Sequence, residues 1–260
     1  MTEPEWPPRG ESIAPDIPSV VAERYLDYVD QLKAFAVLLA GPGVERGLIG
    51  PREVLRLWER HIVNCAVVAD VEEGVIPAES SVIDVGSGAG LPGLVWGITR
   101  PDLNVVLLEP MARRVEFLEL AVAELGLSSR VIVERGRAES QNPLLAADVV
   151  TARAVAPLSK LAPWLLPLVH PGGQVVAFKG SSAEAEIAES SNAIRRARGA
   201  DARIKLCGQE WLSEPTTVVI IDRIADPVSQ AKKAGRAARK QAGLADRVSS
   251  SNRAAKDTDQ

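Results

Sequence analysis

The chain has 260 residues, 46% hydrophobic and 25% charged, with a formal net charge of −4. That composition can bury a good core and excludes disorder of the whole chain. No apolar run approaches the ~18 residues of a membrane-crossing helix, and two cysteines, Cys65 and Cys207, are too few for a disulfide framework or a zinc site. The acidic, Pro-rich start does not have the form of a signal peptide, so a soluble, metal-free protein of the reducing cytoplasm is expected, working as a monomer away from membranes.

In chain order, residues 1–18, with five prolines, read as a flexible lead-in. Residues 19–75 read as a helical cap of two helices, Val20–Ala40 and Pro51–Glu72. The second opens on a proline and carries Val54, Trp58, Ile62 and Cys65 at helical spacing. The linker "GPGVERGLIG" breaks them. From residue 76 to 225, β-branched runs alternate with helical patterns. Strands are predicted at Val82–Asp84, Val105–Leu108, Val131–Glu134, Val149–Thr151 and Val175–Phe178, and helices near Leu91–Arg100, Ala112–Gly126, Pro157–Val169 and Ala183–Arg198. That alternation predicts an α/β fold with a doubly wound, mostly parallel sheet. Two late strands, Ala202–Leu206 and Val218–Ile224, suit an antiparallel hairpin at the sheet edge. This brings the expected sheet to seven strands. Residues 226–260 carry eight Lys/Arg against four Asp, leaving about −8 on residues 1–225, and read as a basic, flexible tail.

Chemistry concentrates in "VIDVGSGAGLPG", residues 82–93. Gly88, Gly90 and Gly93 match G-x-G-x-x-G, the dinucleotide fingerprint, while Asp84, Gly86, Gly88 and Gly90 match D-x-G-x-G-x-G. Asp84 decides between them. A carboxylate at the end of the first strand would repel a diphosphate but attract the ammonium of a methionyl group. Pro92 also removes one N–H donor from the first turn of the following helix. The cofactor expected is therefore S-adenosylmethionine (SAM), with Glu109 at the end of the second strand placed for a ribose diol and the segment "RGRAES" (135–140) near the adenine.

The methyl acceptor is read by what is missing. No polar-Pro-Pro-aromatic loop follows the fourth strand, which weakens exocyclic amine methylation, and neither cysteine lies near the fourth or fifth strand, which weakens methylation at a pyrimidine carbon. A ring nitrogen such as guanine N7 has an in-plane lone pair and no proton to remove. Methyl transfer to it needs orientation rather than a base. Arg153 and Lys179, at the ends of the fourth and fifth strands, could donate to guanine O6 or to phosphates. A SAM methyltransferase of small molecules, and an RNA-binding or ribosome-assembly factor without turnover, remain alternatives at this point.

The segments "WERHIVNC" (58–65), "VIDVGSGAGLPG" (82–93), "RPDLNVVLLEP" (100–110), "RRVEFL" (113–118), "GRAES" (136–140), "VVTARAVAPLSKL" (149–161) and "PGGQVVAFKG" (171–180) together resemble the RsmG (GidB) family. Those proteins are bacterial methyltransferases that modify guanine N7 in the 530 loop of 16S rRNA. The resemblance covers about residues 20–225. It implies a class I SAM-dependent methyltransferase (Rossmann-like) fold acting on 16S rRNA or the 30S subunit. It also implies that Gly86 and Leu91 line the SAM site with Asp84, Gly88, Gly90 and Glu109, that Ala138 and Glu139 contact the adenosine end, and that Arg153 reaches the cofactor. Arg113, Arg114 and Lys179 are the substrate-facing candidates, and Arg153 and Lys179 the candidates for orienting the reactants. The chain departs from the family at Asn64-Cys65, where many relatives carry Asp-Ser, and at "VERGLIGP". His61 and Asn64 share a helix face, where a lone histidine reads as a structural hydrogen-bonder.

Overall fold

A computed structural model describes residues 14–140, 145–153 and 156–224. Most of the expected lead-in and all of the tail 226–260 lie outside the described residues, as do Ala154 and Val155 of the "ARAVAPL" run.

Seven strands form one sheet in the order β3-β2-β1-β4-β5-β7-β6. β1 (Ser81–Val85), β2 (Asn104–Glu109), β3 (Val131–Arg135), β4 (Ala147–Arg153) and β5 (Val169–Phe178) run parallel. β7 (Thr216–Arg223) pairs antiparallel with β5 and with the edge strand β6 (Gly199–Cys207). This is the predicted parallel sheet with its antiparallel hairpin. The crossover helices are α4 (Gly93–Thr99), α5 (Ala112–Glu124), α6 (Leu158–Leu165) and α7 (Ala183–Arg196).

Strand residues alternate between two buried clusters because successive side chains point to opposite faces and both faces are covered. Val82, Val176 and Phe178 join one cluster, Ile83, Val175 and Ala177 the other. The first cluster also takes in Leu32, Phe35, Trp58 and Ile62 of the N-terminal segment, so the cap shares its core with α4 and α5. The Trp96 indole N–H, fully buried, donates to the Cys65 carbonyl at 2.9 Å.

The N-terminal helices are more broken than their periodicity predicts. In place of Val20–Ala40 the chain forms α1 (Ser19–Arg24), a 3-10 turn at Leu26–Tyr28, α2 (Val29–Leu38) and a π turn at Leu39–Gly43. Tyr25 leaves helical geometry at φ −114°, ψ 39°, which buries its ring and brings its hydroxyl 3.4 Å from Asp70. Pro42 sits inside the π turn, where the missing N–H forbids the regular hydrogen bond. Pro51–Glu72 likewise divides into a 3-10 turn (Pro51–Arg56), a π turn (Leu57–Ile62) and α3 (Val63–Ala69), followed by a 3-10 turn at Val71–Glu73.

Two later boundaries also move. The helix expected from Leu91 starts at Gly93, because the glycine loop runs on to Pro92. The helix expected to reach Val169 gives way to a 3-10 turn at Leu166–Leu168, and Val169 already opens β5. Pro167 cannot donate within a helix interior.

Candidate active site

A cleft of about 590 Å³ opens above the carboxyl ends of β1 and β2. Its floor is the glycine loop (Gly86, Ser87, Gly88, Ala89 and Leu91). One wall is the turn after β2 (Glu109, Pro110, Met111) with Arg114 and Arg137, and the other is Leu48, Ile49, His61 and Arg153. A cleft at the carboxyl ends of parallel strands is the expected ligand site of such a sheet. Its size suits a nucleoside-sized ligand.

The loop turns because Gly86, Gly88 and Gly90 take φ of 71°, 58° and 86°, a region costly for any side chain. Apart from the N–H of Ala89, its donors are already committed. Gly86 and Ser87 N–H donate to the Leu108 carbonyl, Gly90 and Leu91 N–H to the Ser87 carbonyl, Gly88 N–H to Glu109 Oε2 and Gly93 N–H to Asp84 Oδ2. Pro92 has no N–H to offer. A diphosphate needs several backbone donors at such a turn, so this loop cannot serve as the dinucleotide fingerprint its spacing mimics.

Two buried carboxylates lie against the loop instead. Glu109 is 1% exposed, and its two oxygens accept from Gly88 and Met111 N–H at 3.0 Å each, with Arg114 at 3.6 Å. Each oxygen retains a second lone pair for a ligand hydroxyl. Asp84 is fully buried under the loop rather than on its surface. Oδ2 accepts from Gly93 at 2.9 Å, and Oδ1 has no hydrogen-bond partner among the described residues. Burial pushes its carboxyl up to about 7 against the opposing pull of the Gly93 N–H, the nearby Ser87 hydroxyl and the Arg153 charge. A loop whose N–H donors, Ala89 apart, are spent within the protein, over two buried carboxylates, is suited to a cationic ligand.

Arg153 closes the far wall. Its terminal nitrogens donate to the Arg60 carbonyl at 2.7 Å, to His61 Nδ1 at 3.1 Å and to Cys65 Sγ at 3.2 Å. It also lines a second cavity of about 410 Å³ with Asn64, Phe178, Lys179, Thr216 and Thr217. The same residue therefore borders both spaces. Cys65 stands closer to the end of β4 than its place in the chain suggests, but it is fully buried and its thiol is pushed up to about 11, so it is no nucleophile.

Of the residues singled out from sequence, Gly86, Gly88, Leu91, Glu109, Arg114 and Arg153 meet at the cleft. Gly90 lies beneath it, packed so closely that a Cβ would strike Leu94. Arg114 belongs to this cleft wall rather than to the second cavity. Arg113 is exposed on α5, outside both linings. Ala138 and the exposed Glu139 form a 3-10 turn that is likewise absent from both. Lys179 faces the second cavity, but its side chain is 8% exposed and its ammonium is committed to Glu186 at 2.7 Å and to the Ala156 carbonyl at 3.0 Å. Leu48 and Ile49, from a linker read only as a helix breaker, were not legible as cleft residues. Arg137 lies within "RGRAES", the segment expected near the adenine, though it was not itself singled out.

Residues 28–215 match the family described as rRNA small subunit methyltransferase G (GidB). The chain is 48% identical over 236 residues to ribosomal RNA small subunit methyltransferase G of Salinispora arenicola, covering 87% of this chain and 96% of that one. It is 51% identical over 193 residues to the protein of the same name from Paenarthrobacter aurescens, covering 74% and 87%. Among solved structures, the S-adenosylmethionine-dependent methyltransferase SibL in its apo form superposes with a TM-score of 0.53 at 19% identity, over 79% of this chain and 71% of that one. That likeness is one of fold.

Proposed function

The chain belongs to the rRNA small subunit methyltransferase G (GidB) family, and from that premise we propose that it transfers a methyl group from SAM to N7 of a guanine in the 530 loop of 16S rRNA. The cleft fits the cofactor on its own chemistry, with Glu109 in its lining beside the loop, the buried Asp84 carboxylate beneath the loop, and a volume of about 590 Å³. SAM, when bound, supplies an electrophilic methyl group on a sulfonium. Glu109 would take the ribose hydroxyls, Asp84 would balance the positive charge from below, and Gly86, Gly88 and Leu91 would form the floor.

The observation that carries the acceptor reading is the second cavity. It meets the cofactor cleft at Arg153, and among the described residues lining it there is no uncommitted carboxylate, since Glu186 is held by Lys179. A nucleophile that must lose a proton would need a base there. Guanine N7 attacks with its own lone pair, so the protein has only to hold the ring in line. Asn64, Thr216 and Thr217 supply polar groups for a base edge, while Lys179 shapes the cavity through its ion pair.

Mass-spectrometric mapping of methylated guanosines in 16S rRNA from cells with and without the gene tests this. Loss of one N7-methylguanosine in the 530 loop, restored by the wild-type gene, is expected. An unaffected nucleotide would defeat the acceptor reading and turn the search to small molecules. Separately, Arg153→Ala should weaken SAM binding by about 1–3 kcal/mol, as loss of a charged donor does. Unchanged affinity by calorimetry would remove Arg153 from the cofactor site.

A further inference from the structure

We infer that His61 is a positioning residue for Arg153, acting as a neutral imidazole whose Nδ1 accepts from the guanidinium while Glu53 holds the opposite ring nitrogen. The inference rests on the reading of the cleft as the cofactor site. Arginine can only donate, so the 3.1 Å contact between Arg153 Nη2 and His61 Nδ1 requires a lone pair on Nδ1. The ring proton must then sit on Nε2, where it donates to Glu53 Oε2 at 3.0 Å. Glu53 is fixed in turn by Arg60, at 3.2 and 3.3 Å to its two oxygens. The Arg60 carbonyl completes the grip on Arg153 at 2.7 Å. One π turn, Leu57–Ile62, thus sets the guanidinium at the boundary of the cleft and the second cavity, 92 residues away in the chain.

The charges around the ring agree with this assignment. His61 is faced on one side by the Glu53 carboxylate with the Arg60 guanidinium bound to it, and on the other by the Arg153 guanidinium, and burial together with Arg153 holds its pKa below the ordinary histidine range. Protonation would place an N–H on Nδ1 against the N–H groups of Arg153, two donors with no acceptor between them. Arg153 would then have to leave. A histidine that served only to fill space would have no such dependence on tautomer.

Two near-isosteric variants separate the roles. An asparagine amide reaches the place of Nδ1 and can still accept from Arg153, whereas a glutamine amide reaches the place of Nε2 and keeps only the Glu53 contact. His61→Gln should bind SAM about fivefold or more weakly than His61→Asn, with similar melting temperatures for both. Because the chain has only two histidines, His61 and His170, 15N-histidine NMR should also identify one ring in the Nε2–H tautomer at neutral pH that vanishes in His61→Asn. Equal losses in the two variants, or a protonated or Nδ1–H ring at position 61, would overturn the inference. Wild-type protein that binds no SAM at all would instead overturn the cofactor-site reading on which it rests.

Discussion

Replacing Arg100 by alanine should lower the unfolding free energy by about 2–4 kcal/mol, the cost of leaving two buried carbonyls unsatisfied and of losing an ion pair to a half-buried carboxylate. Arg100 is 5% exposed at the end of α4. Its guanidinium forks onto Asp102 with two 2.8 Å contacts and donates to the Ala69 carbonyl at 2.9 Å and the Ile76 carbonyl at 3.2 Å. The last two lie on either side of the junction between the cap and the sheet. Alanine would strand both carbonyls in the interior and leave Asp102 without its cation. The Arg100 contact holds the Asp102 carboxyl at about 2, so this stabilisation is present above the usual aspartate range and is lost only as pH falls from about 4 through 2. The loss on substitution should therefore be nearly constant from pH 5 to 8. Urea unfolding with an unchanged m-value measures it, and a loss below about 1 kcal/mol would mean that water replaces these bonds.

Arg100 also marks the limit of what the amino-acid order reveals. The strands were legible because a parallel sheet covered on both faces demands runs such as Val82-Ile83 and Val175-Val176, whose neighbours drop into opposite clusters. The loop was legible because Gly86, Gly88 and Gly90 answer a local backbone requirement. Hidden from the sequence was every feature made by distant partners. Arg100 meets Ala69 and Ile76, Arg153 meets Arg60 and His61, and Leu48 and Ile49 arrive at the cleft from a segment with no chemical signature. Lys179 reads as a rim cation because nothing in the order of residues tells that α7 delivers Glu186 to it. The cap helices were over-read for a related reason. Helical spacing records which side chains face the core, and 3-10 and π turns can satisfy nearly the same facing pattern.

Asp84→Asn should separate stability from cofactor binding. The folded-state carboxyl titrates at about 7 because burial penalises its charge, so the folded protein holds a proton that the unfolded chain gives up near 4. Stability must therefore fall as pH rises between those values. Asparagine removes this dependence, and relative to wild type the variant should gain about 2 kcal/mol between pH 5 and pH 8. Taking the difference between two pH values cancels any fixed cost of burying an amide at this place. A bound SAM cation has the opposite preference, because it interacts best with the ionised carboxylate. Wild-type affinity should then drop by about tenfold for each pH unit below 7, since binding must expel the Asp84 proton. In Asp84→Asn the affinity should be about 10–100-fold weaker at pH 8 and nearly flat with pH, the loss expected when one opposing charge is removed from beneath the loop. Calorimetry across pH 5.5–8 distinguishes the outcomes. Parallel pH profiles for the two proteins would mean that Asp84 only holds Gly93 and the loop, and that the charge of the cofactor is balanced elsewhere in the cleft.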